Sequence, residues 1–147
     1  MAWIYRSGDL SEHPATTIQC NPIVVDGVMY VTTPSLKVVA LDAATGLEKW
    51  RFNPYEGDSA SGVNRGVAYW SDDAEGRIFY VAGSYLYSLD AGTGEVIQSF
   101  GQGGKIDLHE GLGRDVRFLM VIATSPGIVY EDLIIMGSRV GEGPAPS

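Results

Sequence analysis

The chemistry open to this 147-residue chain rests on few side chains: Arg65, Glu142, Gln19, Thr124, two histidines and one cysteine. A planar guanidinium such as Arg65 donates paired hydrogen bonds and stabilises negative charge on oxygen. In a loop it serves equally well to tie the chain to a nearby carboxylate. Glu142 offers a hard oxygen ligand suited to a divalent cation, or else is a solvated acid before the tail Gly143-Pro144-Ala145-Pro146-Ser147. Gln19 combines an amide donor with an acceptor, and Thr124 supplies a hydroxyl. His13 and His109 have no partner at catalytic or metal-ligand spacing and read as surface or structural residues. Cys20 is single, which excludes an internal disulfide, and reads as a small buried residue. Gly101-Gln102-Gly103-Gly104 lacks the strand-turn-helix setting of a dinucleotide loop and reads as a flexible turn. Asp72-Asp73-Ala74-Glu75-Gly76 lacks the bidentate glutamate of a calcium loop and reads as a hairpin turn.

A formal net charge of −8 with no cluster of Lys and Arg excludes nucleic acid as a partner. The longest apolar run, Phe118 to Ala123, has the length of a strand and falls far short of the ~20 residues of a membrane-crossing helix. No charged-then-apolar leader opens the chain, which is also how a periplasmic protein without its leader looks.

The elements that must position these side chains repeat. Ala40-Leu41-Asp42-Ala43-Ala44-Thr45-Gly46 returns as Ser88-Leu89-Asp90-Ala91-Gly92-Thr93-Gly94, so Asp42 and Asp90 stand 48 positions apart, as do Phe52 and Phe100. Trp3-Ile4-Tyr5 precedes Trp50-Arg51-Phe52 by 47 positions and reads as the tail of a preceding unit. Pro22 to Tyr30 similarly resembles Pro126 to Ile134. Within one unit, Val24-Val25 and Val28 to Val31 flank Asp26-Gly27, a dipeptide that favours the positive-φ hairpin turn matching strand twist. A third strand follows over 37–41. After it comes a corner in which Asp42 and Thr45 can bond nearby amides while Gly46 turns left-handed. A fourth strand covers 48–52, and the same order is expected over 66–69, 78–82, 85–89 and 96–100. No stretch holds a helical period. Four strands per unit, repeated at 40–50 residues, predict an all-β chain: a β-propeller fragment of about three four-stranded blades. A small sandwich is the alternative, but sandwiches do not repeat such a corner in register. The expected layout is 1–8 tail of a preceding blade, 17–53 blade, 63–100 blade, 101–117 insert or loop, and 118–140 start of the next blade.

Ala40-x-Asp42-x-x-Thr45-Gly46-x-x-x-Trp50 resembles the tryptophan docking motif of the pyrroloquinoline-quinone (PQQ) dependent quinoprotein dehydrogenases. The stretch 19–31 resembles the family's first-blade entry, and Val63-Asn64-Arg65-Gly66-Val67-Ala68-Tyr69-Trp70 the loop after its first docking motif. These stretches lie between residues 19 and 70, and the resemblance is read over nearly the whole chain. The resemblance implies a ring of about eight blades, of which this chain is the front portion, and a docking tryptophan wedged between neighbouring blades. Gln98 stands where the second copy would carry that tryptophan.

The resemblance further implies a PQQ- and Ca²⁺-dependent periplasmic oxidoreductase acting on a sugar or alcohol hydroxyl, with a quinone or cytochrome electron acceptor. It matches Arg65 to the arginine on the quinone oxygens, Gln19 to a position usually held by glutamate, Thr124 and Gly141 to cofactor-bonding residues, and Glu142 to a calcium ligand. Ser59-Ala60 replaces the adjacent cysteines of the alcohol-oxidising branch, which points toward the glucose or sugar branch. The aspartate base and further calcium ligands are expected beyond Ser147, so the isolated chain is expected to be inactive. The alternatives are a non-enzymatic scaffold propeller sharing the docking motif, and self-association of a propeller fragment through open blade edges.

Overall fold

The computed structural model describes residues 2–9, 16–56, 60–72 and 74–140. Glu142, Gly141, His13 and Ser59 lie outside them. Strands β1 (Ile23–Val25), β2 (Val28–Thr32), β3 (Val38–Asp42) and β4 (Glu48–Phe52) form one antiparallel sheet in chain order. A second sheet runs β5 (Ala68–Ser71), β6 (Gly76–Ala82), β7 (Tyr85–Asp90) and β8 (Lys105–Asp107). A third, smaller group comprises the pair β9 (Val121–Ile122) with β12 (Arg139–Val140) and the hairpin β10 (Ile128–Tyr130) with β11 (Leu133–Ile135). The described residues contain no helix, so none could cross a membrane.

The β1–β2 hairpin closes through Asp26 and Gly27 at φ 48° and 77°, with Val25 opposite Val28. Both central residues are left-handed, the primed turn expected of Asp-Gly. The two corners are near copies of one another. Asp42 Oδ1 accepts from the amides of Ala44 (3.1 Å) and Thr45 (2.8 Å) and from Thr45 Oγ1 (2.7 Å). Asp90 Oδ1 accepts from the amides of Gly92 (2.9 Å) and Thr93 (2.7 Å) and from Thr93 Oγ1 (3.0 Å). Each corner then closes from glycine to the aspartate carbonyl at 2.8 Å, Gly46 to Asp42 and Gly94 to Asp90. The carboxylates thus satisfy amides that a tight turn would otherwise leave unpaired. Asp42 and Asp90 occupy equivalent places in neighbouring sheets.

Each corner is also a docking point. Trp3 Nε1 donates to Ala43 O at 3.2 Å, and Trp50 Nε1 to Ala91 O at 3.0 Å. The core between the two sheets is built from Tyr30, Val38, Ala40, Ile78, Tyr80 and Leu89, with Trp50 and Phe52 packed on it. Behind it, Val81, Leu86 and Ala123 begin a second core against the third group.

The fourth strand of the second unit departs from the sequence expectation. Val96 makes only a single bridge to Leu89, and Ile97 donates to Ser88 O at 2.9 Å. The chain then turns through Gly101, Gly103 and Gly104 at φ 56°, 62° and 84°. It returns as β8, pairing Lys105, Ile106 and Asp107 with Tyr87, Leu86 and Tyr85. The region expected to be a loop over 101–117 therefore begins with the edge strand, and the five-residue strand expected over 96–100 is a bridge followed by a bulge. Glycine at successive left-handed positions lets the chain double back where the first unit, without such a run, continues straight.

Candidate functional site

In each unit the first strand is entered from the same end, opposite the docking corners. There the three entry segments are tied to one another. The Asn21 amide donates to Arg65 O at 3.0 Å, and the Arg65 amide donates to Thr124 O at 2.7 Å. A side-chain bond runs beside this ladder, from Arg65 Nη1 to Thr124 Oγ1 at 2.8 Å. Two residues 59 positions apart are thus brought into direct contact. Among the described residues the side-chain partner of Arg65 is a hydroxyl, not the carboxylate that an ordinary loop arginine would seek.

The residues flanking Arg65 explain its presentation. Asn64 is buried, donates from Nδ2 to Val81 O (2.8 Å), and accepts the Gly66 amide on Oδ1 (2.8 Å). Its own carbonyl accepts from Thr32 Oγ1 at 3.3 Å. Gly66 sits at φ +126°, and a Cβ there would lie 2.7 Å from Asn21 O. Asparagine fastens the loop to β6 and glycine permits the close backbone approach, leaving the guanidinium between them exposed. Asn64, Gly66 and Asn21 entered the sequence reading only as members of the family-like stretches, with no role of their own. A buried-capable amide beside a charged residue and a glycine was the available signal.

Gln19 is exposed and two residues from Asn21, but its Nε2 is turned toward Thr17 Oγ1 at 3.5 Å and makes no hydrogen bond to Arg65 or Thr124. Cys20, half-buried, accepts from the Thr32 amide on Sγ at 3.1 Å, a structural contact. Asp72 Oδ1 accepts from Ala74 and Glu75 amides at 2.8 Å each, closing a hairpin turn. Among the described residues no group of His, Cys, Asp or Glu side chains could hold a metal ion. Gly141 and Glu142, the remaining expected contacts, fall outside those residues. The donors present, a guanidinium, a threonine hydroxyl and a primary amide, suit the carboxylates and carbonyls of an anionic planar quinone.

His109 is a clamp and not a ligand. Its Nδ1 lies 2.6 Å from Asp107 Oδ1 and its Nε2 2.8 Å from Leu119 O. Both neighbours only accept, so both contacts are satisfied together only by the imidazolium. The Asp107 carboxylate first, then the Leu119 carbonyl, raise the His109 pKa above its ordinary 6.5. The His109 amide and ring lower that of Asp107 below 3.8. Since the folded value of His109 is raised, its contribution is full below about pH 6.5 and fades as pH rises through the folded pKa. The contribution of Asp107 is present above about pH 3.8 and is lost as pH falls through its lowered folded pKa. His109→Gln is therefore expected to flatten the alkaline-side loss of stability, read as the urea midpoint between pH 5.5 and 9. An unchanged slope would contradict the clamp.

A family profile described as the glucose/ethanol/alcohol dehydrogenase β-propeller domain of the PQQ proteins matches residues 1–146. Quinoprotein glucose dehydrogenase A of Acinetobacter calcoaceticus is 30% identical over 95% of this chain and 20% of its own length. The dehydrogenase subunit of an Acetobacter aceti quinone-dependent alcohol dehydrogenase is 40% identical over 54% of this chain and 11% of its own. The crystal structure of quinohemoprotein alcohol dehydrogenase from Comamonas testosteroni superposes with a TM-score of 0.65 at 27% identity, covering 84% of this chain and 17% of that one. The chain spans about a fifth of the length of the curated relatives it matches along most of its length.

Proposed function

We propose, because this chain belongs to the β-propeller domain family of PQQ glucose, ethanol and alcohol dehydrogenases, that it supplies the Arg65 side of a quinone site in a dehydrogenase oxidising a sugar or alcohol hydroxyl. The observation that carries this reading is the tie between Arg65 and Thr124, in amide and side chain alike, at the strand-entry end of neighbouring units. When bound, PQQ supplies a two-electron acceptor and calcium a Lewis acid. Arg65 would place fixed positive charge and several N–H donors against the quinone oxygens, held in orientation by Thr124. Gln19 would swing from Thr17 to offer an uncharged amide. Gly141 and Glu142 would complete the contacts to cofactor and calcium. We assign the parent protein to the periplasm, with a quinone or cytochrome as electron acceptor.

The hydroxyl-activating base is absent from this set, so the isolated chain should reduce no dye with PQQ, calcium and glucose or ethanol. Turnover by the purified 147-residue chain would overturn that expectation. In a dehydrogenase containing this segment, Arg65→Lys should lower kcat/KM roughly 10²-fold, the scale of losing one preorganised charge stabiliser. Thr124→Val should cost less. An unaffected Arg65→Lys enzyme would remove Arg65 from the quinone site, and a full-length protein without PQQ-dependent turnover would favour the scaffold alternative.

A further inference from the structure

Residues 108–120 carry the chain from the last strand of the second sheet to the first strand of the third group. They start at the strand-entry end. Ala82 pairs with Tyr85, and Tyr85 with Asp107, so β8 finishes beside the turn between β6 and β7. At that same end Asn64 is fastened to Val81 O and holds Arg65 in place. The second sheet thus presents Arg65 ahead of its first strand and Asp107 at the tip of its last.

His109 ties the two ends of this segment to each other. The Leu108 amide donates to Ser84 O at 2.8 Å. Asp107 Oδ1 accepts the His109 amide at 3.0 Å and faces its Nδ1 at 2.6 Å, so the sheet edge aims the ring. The far nitrogen then reaches Leu119 O at 2.8 Å. Two residues on, the chain enters β9, where Val121 is buried, and buried Ala123 follows. Thr124 comes next, its carbonyl and its hydroxyl both accepting from Arg65. The stretch 119–124 is therefore held at its head by His109 and at its tail by Arg65, and both holders stand on the second sheet. Between them β9 has a ladder of only two pairs, Ile122 with Arg139 and Val121 with Val140. So short a ladder specifies its own placement weakly, and the ties at its ends decide it. Gly141 and Glu142 follow Val140 directly in the sequence.

We propose that His109 is a positioning residue of the quinone site: by holding Leu119 O it sets where β9 runs, and so where Thr124 meets Arg65. Because β12 pairs with β9, the same tie governs the strand that leads into Gly141 and Glu142. The inference rests on the reading of Arg65 and Thr124 as quinone contacts. An imidazolium suits the task, since it is a rigid ring with a donor on each side and no acceptor, set between a carboxylate and a carbonyl. A guanidinium offers the same donors to both partners, and an alanine offers none.

Hydrogen exchange on the whole chain reads the placement without any cofactor. His109→Ala should lower protection of the Arg65 amide, which donates to Thr124 O, about tenfold, the scale of losing one charge-assisted hydrogen bond. Amides of β2 and β3 should keep their protection. His109→Gln, a milder change for folding, should move the Arg65 amide in the same direction, and His109→Arg should restore it. An unchanged Arg65 amide would overturn the proposal, and so would an equal fall across both four-stranded sheets, which is what general support of the fold predicts. Equilibrium dialysis of PQQ against the cofactor-free form of a dehydrogenase containing this segment reads the consequence. His109→Ala should weaken binding about tenfold, the scale for removing a partner that orients a ligand-holding residue, and His109→Arg should bind as the parent does. If Arg65→Lys leaves PQQ binding intact, the quinone reading itself fails. If Arg65→Lys weakens binding and His109→Ala does not, His109 alone loses its role.

Discussion

Replacing Trp50 with alanine is expected to lower the stability of this chain by about 3–5 kcal/mol, the range for truncating a large packed aromatic. The loss should appear as uncoupling of the two sheets. Trp50 belongs to β4 of the first sheet yet bonds to Ala91 at the corner of the second, and it packs on the core the sheets share. Stacked repeats are stabilised by intrinsic terms plus interfaces, so removing the interface anchor should split one cooperative urea transition into two. Fluorescence and circular dichroism midpoints that coincide in the parent chain should then separate. Trp50→Phe keeps most of the packing and loses one hydrogen bond, worth about 0.5–1.5 kcal/mol. Ala91 O is not orphaned in that variant, since Tyr30 Oη also donates to it at 3.1 Å. Burial pushes the Tyr30 pKa up to about 12, so this second donor keeps its proton across the usable pH range and the Trp50→Phe effect should not vary with pH. A Trp50→Ala chain that unfolds in one transition with an unchanged midpoint would refute the docking role.

Local chemistry was legible at the turns, where a residue acts on its near neighbours. Asp26-Gly27 forms the primed turn, and Asp42 and Asp90 cap their corners with the same set of amides, because each pattern is complete within five residues. Resemblance marked Arg65 and Thr124 separately as cofactor contacts, and their bond to one another was not legible, since it closes only when three strand entries align. The fourth strand of the second unit was misplaced for a physical reason. A repeat of 48 residues and the strand-like Val96-Ile97 both argue for continuation, while the glycines at 101, 103 and 104 act by conformations that sequence periodicity does not register. Half of the His109 clamp is local, Asp107 standing only two residues away, but its second acceptor, the Leu119 carbonyl, arrives only when the loop between them folds back, so the clamp was not legible as a whole.

The second large effect is expected at Gly94, and a control within the same chain separates its two causes. Gly94 and Gly27 share nearly one backbone conformation, φ +76° and +77°. An alanine at either pays about 1–2 kcal/mol for a left-handed L-residue. At Gly27 nothing lies within 4 Å of the added Cβ, whereas at Gly94 the Trp50 ring lies 2.5 Å away. Gly94→Ala should therefore cost more than Gly27→Ala, because the ring must leave its seat or the corner must retreat. If the excess is the docking contact, it should vanish in the Trp50→Ala background, where Gly94→Ala should cost what Gly27→Ala costs. Such a cycle is expected to give a coupling energy of about 1–3 kcal/mol, the scale for residues in direct contact. Strict additivity of the two substitutions would mean that corner and ring do not sense each other. The pairing of Trp3 with Gly46, whose Cβ would likewise fall 2.5 Å from the ring, would then lose its meaning as a docking contact as well.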